Sequence, residues 1–354
     1  MNLFEQMEKE GHEQFMFFQE KHSGLKAILA IHNTVLGPGL GGCRMWNYEK
    51  EEDAIYDALR LSKGMTYKSG ISGEDFGGAK TVVWADPEND KSEELFRALG
   101  KFINSLNGRY STGTDVGTNY DDFVIMSKET PYVGALPKEY GGSGDSSIAT
   151  AYGVYNGIKA CSKEKYGTRD LKDKIVAVQG LGKVGSKVAK HLIDEECKVI
   201  ATDINDTHLQ VGRELGAEIV DAEEIYDIDC DIFSPNALGA VVNEDTIDRF
   251  KCDIIAGAAN NVLASLDYAE KLEERGILYA PDYVINAGGL IQVADELDND
   301  NYSEERVMKK CEGIYLKILN IFSIAREKNI STAEAADHLV EERIKAIKYI
   351  NTIR

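Results

Sequence analysis

The chain has 354 residues, 43% of them hydrophobic, which suffices for a large core and, at about 100–200 residues per domain, for two domains. A net charge of −20 repels phosphate backbones and anionic headgroups, making nucleic acid and membrane surfaces poor partners. No apolar run approaches the about 18 residues of a membrane span, the acidic start MNLFEQMEKEGHEQF is unlike a signal peptide, and six dispersed cysteines without a C-x-x-C pair or an H-E-x-x-H motif predict a cytoplasmic protein with reduced thiols and no metal.

Residues 1–150 read as strands separated by glycine-rich turns: LGPGLGG at 36–42, GISGEDFGGAK at 70–80, STGTDVGTN at 111–119 and GGSGDSS at 141–147. A helix is predicted near 51–68, where Ala54, Ile55, Ala58, Leu59 and Leu61 cluster at helical spacing. Three charged residues of this half lie in or beside glycine-rich or apolar stretches: Lys68 in MTYK, Lys80 in GGAK and Asp115 in TGTDVGT. Most lysines are solvated surface groups. Lys80 is less ordinary, because it follows Gly77-Gly78-Ala79 and leads into the apolar strand TVVWAD. A lysine at the mouth of a buried strand is partly desolvated, and desolvation favours the neutral amine that acts as a base.

From 175 the rhythm becomes regular. Short apolar runs at 175–180, 198–203, 217–220, 230–235, 252–257 and 277–282 alternate with helical patterns, as a doubly wound parallel sheet requires. The first run leads into Gly180-Leu181-Gly182-Lys183-Val184-Gly185, then a helix opening at Ser186, then a strand ending at Asp203. In such a loop Gly180 permits the tight turn, Gly182 lets backbone approach a pyrophosphate, and Gly185 allows close helix–strand packing. Asp203, 18 residues after Gly185, is placed to accept hydrogen bonds from adenosine ribose hydroxyls and to repel a 2′-phosphate, which favours NAD over NADP. A lone G-x-G-x-x-G is weak, and a turn without a ligand is its bland alternative; here strand, helix, second strand and acid all fall in place. A Walker loop fails on the order Ser186-Lys187. The segment from about 303 to 351 is helical throughout and is expected to pack back across the domains.

A hydride site of this kind needs a chemical partner in the other domain. Oxidising an amino acid requires a cation for its carboxylate, a base to activate water and an acid to shuttle a proton to the leaving amine; Lys68, Lys80 and Asp115 are the groups available. His191, on the helix after the glycine loop, reads as a packing or surface residue.

At this point the chain resembles the leucine/phenylalanine/valine dehydrogenase branch of the glutamate dehydrogenase superfamily, and among these the phenylalanine enzymes. The resemblance runs from HEQFMFFQEKHSGLKAILAIHNTVLGPGLGGCRM through MTYK, GGAK, LNGRYSTGTDVGT, VQGLGKVG and AGAANNVL to YAPDYVINAGGLIQVADEL. It implies that Lys68 binds the substrate carboxylate, that Lys80 is the general base acting through water, and that Asp115 relays protons to and from the amine. The positive charge of Lys68 favours a neutral Lys80, and Asp115, of opposite sign, must stand nearer the substrate amine than Lys80 or it would cancel the shift. Gly41, Gly42, Gly113, Thr114 and Asn260 would contact substrate. Arg44, Thr150, the 180–186 loop, Asp203, Ile204, Ala237, Leu238, Ala258, Ala259, Asn260 and Asn286 would contact NAD. The implied fold is α/β: an N-terminal substrate domain over 1–150, joined by C-terminal helices at about 330–354, and a Rossmann-type NAD domain over 151–329, with a cleft between. A homo-oligomer, octamer or dimer, is implied as well.

TGTDVGT followed by GGSGDSSIATAYGV is similar to the phenylalanine enzymes, and Gly113 in place of alanine leaves room for an aromatic ring. GGAK is the leucine-type form, Asn236 replaces a usual cysteine and Ala240 a common glycine. Leucine/valine or tryptophan oxidation is the alternative within this chemistry, and a non-catalytic NAD-binding homologue the alternative outside it; the intact Lys68, Lys80 and Asp115 set argues against the latter.

Overall fold

Apolar alternation sorts the first five strands into one two-faced sheet. The computed structural model describes residues 2–237, 239–298 and 302–352. Of these, residues within Met1–Asp145, Gln292–Glu304 and Val340–Arg354 form a first unit, and those within Ser146–Ile291 and Glu305–Leu339 a second. Leu238, expected at the cofactor, lies outside the described residues.

The first unit begins with α1 (Leu3–Glu10), β1 (Gln14–Glu20), β2 (Leu25–Asn33), β3 (Gly39–Trp46), α2 (Glu51–Ser72), β4 (Gly77–Trp84), α3 (Glu93–Ser105), β5 (Tyr110–Thr114) and α4 (Tyr120–Ser127). The sheet order is β1-β2-β4-β3-β5, antiparallel through β1, β2 and β4 and parallel from β4 to β5. One face carries Leu29, Ile31, Met45 and Val83 against Phe96, Leu99, Phe123 and Met126; the other carries Ile28, Ala30 and Val82 against Ala54, Ala58 and Leu59 of α2. The predicted helix near 51–68 extends to Ser72, opens on Glu51, Glu52 and Asp53, which suit its N-terminal dipole, and stops at Gly73 with φ 84°.

Several glycines expected in turns lie inside strands instead. Gly39, Gly41 and Gly42 belong to β3, Gly77 and Gly78 to β4, and Gly113 to β5. Close approach is the reason at two of them. A Cβ on Gly41 would lie 1.7 Å from the Ala79 carbonyl oxygen, and one on Gly78 would lie 2.1 Å from the Thr66 backbone nitrogen, where α2 presses on the sheet.

The second unit contains α5 (Ser147–Tyr166), β6 (Ile175–Gln179), α6 (Gly185–Asp194), β7 (Lys198–Thr202), α7 (Asp206–Leu215), β8 (Glu218–Ile219), β9 (Ile232–Pro235), β10 (Ile254–Ile255), α8 (Asp267–Glu274), β11 (Leu278–Tyr279) and α9 (Asp282–Ile285). All six expected apolar runs form strands, β8, β10 and β11 only two residues long, in the parallel order β11-β10-β9-β6-β7-β8. Chain direction across the sheet reverses at β6, so the loop leaving β6 sits at the switch point where such sheets bind nucleotides.

The chain closes with α10 (Gly288–Asp298), α11 (Glu304–Glu312), α12 (Ile314–Lys328) and α13 (Thr332–Ile350). These helices are shared differently from the expected 330–354 block. Residues 305–339 group with the second unit, where α12 lies on α5. The first unit takes 292–304 and the stretch from Val340, whose side chain fills the space beside Gly70 while Arg343 donates to the Gly70 and Glu74 carbonyls. Among the described residues no helix is long and apolar enough to cross a membrane.

Candidate active site

Lys80 is 5% exposed, on the face of β4 that α2 covers, and its ammonium is in direct contact with the Asp115 carboxylate. The register pairing Leu40 with Gly78 and Cys43 with Thr81, and Gly42 with Gly113, sets Gly42 on the rung between Lys80 and β5. With no side chain there, nothing separates the two charges: a Cβ on Gly42 would sit 2.9 Å from Asp115 Cβ. Asp115 therefore rests on Lys80 and does not stand off from it as expected. Its loop is fastened by Thr118, which receives the Asp115 N–H at 3.0 Å and donates to the Cys43 carbonyl at 2.9 Å. Burial works against the Asp115 charge, but Lys80 and then Arg44 outweigh it and hold this carboxyl below the usual aspartate range.

Arg44, on β3, donates to Asp57 at 2.8 Å and has a second nitrogen 3.8 Å from Asp115. Tyr48 and Arg60 also donate to Asp57, at 2.6 and 2.8 Å. Arg44 Nε is buried without a hydrogen-bond partner. Gly41 is held in place by the buried Tyr110 hydroxyl, which donates to its carbonyl at 3.0 Å. Thr114 ends β5, half-buried. Lys68 is half-buried on α2, two residues beyond the Thr66 that abuts Gly78. Gly113 differs from its neighbours: a Cβ there would meet Ala135 Cβ at 3.7 Å, Val293 Cγ1 at 3.8 Å and the Gly134 oxygen at 4.0 Å, ordinary contacts all.

In the second unit the glycine loop has three distinct geometries. Gly180 has φ 93° and donates to the Thr202 carbonyl at 2.8 Å; a Cβ on it would strike Ala237. Gly182 is open, its nearest atom to an added Cβ being His208 Cε1 at 3.9 Å. Gly185 opens α6 with its Cα against the Gly180 carbonyl, where a Cβ would be 2.0 Å from that oxygen. Leu181 is buried and donates its N–H to Asp203 at 2.7 Å, while Lys183 is exposed and Val184 and Ser186 are half-buried. Asp203 also accepts the Asn205 N–H at 2.9 Å and lies 3.2 Å from His208 Nδ1, without hydrogen-bond alignment. Burial opposes the charge on Asp203, and these N–H donors overcome it to keep its carboxyl below the ordinary value. Ile204 is 93% exposed. Thr150, on α5, donates to the Ser146 carbonyl and lies where a Cβ on Gly289 would collide with it.

Asn286 is 4% exposed and its amide donates to Ala258 and Ala259 carbonyls and to Asn260 Oδ1, at 3.1, 3.4 and 2.9 Å. Its own Oδ1 is buried with no partner. Asn236 ties two loops together, donating to the Ser234 carbonyl at 2.8 Å and accepting the Ala258 N–H at 3.0 Å. Ala240 has φ 55°, the left-handed region, which explains why glycine suits this position. The bare Gly182 backbone and the unpartnered Asn286 acceptor fit a dinucleotide with phosphates at one end and an amide donor at the other.

Asp57, Thr118 and His208 were not legible as site residues. Thr118 had a local signal, a hydroxyl three residues after an aspartate at a turn. Asp57 had none, because its partner Arg44 lies on another element.

A switch-point glycine loop with its acid on one unit, and a buried lysine–aspartate pair on the other, define a dinucleotide-dependent oxidoreductase. The model of the Glu/Leu/Phe/Val dehydrogenase dimerisation domain matches residues 12–132, and that of Glutamate/Leucine/Phenylalanine/Valine dehydrogenase matches 141–208 and 204–348. A leucine dehydrogenase of Thermoactinomyces intermedius is 53% identical over 349 residues, 98% of this chain and 95% of the relative. A phenylalanine dehydrogenase of the same organism is 49% identical over 355 residues, 99% and 96% of the two chains. The crystal structure of L-tryptophan dehydrogenase from Nostoc punctiforme superposes with a TM-score of 0.86 at 44% identity, covering 98% of this chain and 99% of that one. The chain belongs to the Glu/Leu/Phe/Val dehydrogenase family. It is an NAD-dependent amino-acid dehydrogenase.

Proposed function

We propose that the preferred substrate is L-phenylalanine, converted reversibly to phenylpyruvate, ammonia and NADH. The observation that carries this reading is Gly113. Its φ is not left-handed and a Cβ would fit beside it, so neither backbone nor packing demands glycine there. What its missing side chain leaves is room, bounded by Ala135, Val293 and the Gly134 carbonyl. An aromatic ring uses that room; leucine and valine leave it partly empty.

In the proposed mechanism Lys68 grips the substrate carboxylate, while Gly41, Gly42 and Thr114 shape the surface on which it rests. Bound NAD, held by the 180–186 loop, Thr150, Asp203, Ile204, Ala237, Ala258, Ala259 and Asn286, supplies the hydride acceptor for the α-carbon. The imine left on the substrate is attacked by water. Lys80, as the neutral amine, takes the proton of the attacking water and passes it to Asp115, in contact with it, which protonates the carbinolamine nitrogen. The C–N bond breaks, ammonia leaves, and the hydroxyl proton goes to Lys80 as the 2-oxo acid forms. Asn260 orients substrate and Arg44 braces Asp115, with its reach toward the cofactor part of the same proposal. The chain works as a homo-oligomer in the cytoplasm, a reading supported by the family's dimerisation-domain model and by six buried free cysteines.

Leucine is the second reading, favoured by 53% identity to a leucine dehydrogenase against 49% to a phenylalanine enzyme. The test is NADH formation with L-phenylalanine, L-leucine, L-valine and L-tryptophan, for the natural chain and for Gly113→Ala. Higher kcat/KM on L-phenylalanine is expected, with Gly113→Ala moving the ratio toward the aliphatic acids by about 1–3 kcal/mol. A natural preference for L-leucine would overturn the substrate assignment.

A further inference from the structure

The wall opposite Gly113 is not made by a strand of the sheet. After α4 the chain returns along β5: the Thr112 N–H donates to the Tyr132 carbonyl at 3.0 Å and the Gly134 N–H to the Thr112 carbonyl at 2.8 Å. This lays 132–134 beside β5 and delivers Ala135 to Gly113. Ala135 then has φ 60°, a left-handed conformation that alanine rarely adopts and that needs outside support.

That support comes from α10. Glu296 Oε2 accepts the Ala135 N–H at 3.2 Å, the Ser143 N–H at 3.0 Å and the Ser143 hydroxyl at 2.5 Å, and Oε1 accepts the Leu136 N–H at 3.2 Å. One turn earlier Gln292, 2% exposed, donates to the Ser143 and Gly144 carbonyls at 3.2 and 3.4 Å. Between them on the same helix stands Val293, the third boundary of the space at Gly113. The carboxylate therefore collects both ends of the 135–143 loop and ties them to the helix that supplies the rest of the wall.

We infer that Glu296 is a specificity-determining positioning residue: it sets the size of the side-chain pocket by clamping the 135–143 loop through Ala135 and Ser143, without touching the reacting atoms. The inference rests on the reading of Gly113 as the floor of that pocket. A loosened clamp lets Ala135 leave its left-handed conformation, so the wall no longer matches one side-chain size, and discrimination falls while the chemistry of Lys80 and Asp115 does not.

The experiment is steady-state kinetics of the full chain with NAD and L-phenylalanine, L-leucine or L-valine, with NADH binding followed by fluorescence. Glu296→Gln keeps the side-chain length but places an NH2 donor against a backbone N–H. It is expected to change the L-phenylalanine to L-leucine ratio of kcat/KM by about tenfold toward unity, through KM, with kcat within about threefold and NADH binding unchanged. Ser143→Ala removes the hydroxyl donor, is the milder variant should the first fold poorly, and is expected to shift the same ratio less and in the same direction. Equal scaling of all substrates, or an unchanged ratio in both variants, overturns the inference. Gly113→Ala run in parallel separates the two claims: if it moves the ratio and the clamp variants do not, only the clamp is wrong; if none of them moves it, the pocket reading falls as well.

Discussion

Lys80 and Asp115 meet because Gly42 between them has no side chain, and the proposed mechanism rests on their contact. Lys80 and then Arg44 hold the Asp115 carboxyl below the usual aspartate range against its burial, and in the proposed mechanism it passes a proton on rather than storing one. Three substitutions should therefore fail differently. Lys80→Ala is expected to lower kcat by several orders of magnitude with NADH binding intact, Asp115→Asn to lose turnover without losing the cofactor, and Lys68→Ala to act chiefly in KM for the amino acid. Steady-state kinetics with fluorescence titration of NADH checks all three; near-normal kcat in Lys80→Ala would reduce that lysine to a positioning charge. Ala240 is a residue-scale matter of another kind. It is exposed, and its left-handed φ of 55° costs an alanine about 1–2 kcal/mol. Ala240→Gly is expected to stabilise the protein by about 0.5–1 kcal/mol after the extra entropy of the unfolded glycine is subtracted, read as a rise in Tm. An unchanged or lowered Tm would show the strain to be relieved elsewhere.

At the scale of elements, α1, β2 and α2 are joined by two buried histidines. His12 Nε2 donates to the Leu59 carbonyl at 3.0 Å, and His32 Nε2 donates to the Glu10 carbonyl at 3.0 Å while its Nδ1 accepts from the Thr66 hydroxyl at 2.7 Å. Their rings meet edge to face at 4.8 Å, and His12 Nδ1 is buried without a partner. Both rings are thus built in as neutral tautomers. Burial, then the adjacent His12 and Lys63, pushes His32 down from 6.5 to about 4, against the Glu10 carbonyl and carboxylate that favour its proton. Below pH 6.5 the unfolded chain takes up a proton here that the folded one refuses until about pH 4, so stability is full above that window and falls across it as acid is added. The loss expected from His32 is on the order of 3 kcal/mol. Denaturant midpoints measured between pH 7 and pH 4 should fall less steeply in His32→Asn than in the natural chain; parallel slopes would place the acid sensitivity elsewhere.

For the whole molecule the six cysteines offer a check on packing in both units. Cys43, Cys161, Cys197, Cys230, Cys252 and Cys311 are all buried and free. Burial pushes the Cys43, Cys161, Cys197, Cys230 and Cys252 thiols above their ordinary value, so neither access nor thiolate is available to a reagent. A polar disulfide reagent is expected to label none of the six in the native protein within minutes and all six in denaturant. Rapid labelling of any one under native conditions would mark the element around it as locally open.

What the sequence by itself determined is whatever consecutive residues encode. Strand β6, the loop Gly180 to Gly185, helix α6, strand β7 and Asp203 follow one another along the chain, and each has a local pattern, so this run of elements was legible in order. The predicted helix over 51–68 was legible for the same reason. The tertiary structure alone decided what depends on distant neighbours. Glycines at 41, 42, 78 and 113 look like turn residues until the strands beside them show that close approach or open space calls for them. Lys80 and Asp115 are 35 residues apart and touch only because of the β4-β3-β5 register. The division of the C-terminal helices between the units follows from Val340 against Gly70 and from Glu296 reaching back 153–161 residues to Ser143, Leu136 and Ala135. Hydrogen bonds and van der Waals contacts act over a few ångströms of space, whatever the distance along the chain, so a periodic pattern announces an element but not the partner it will meet.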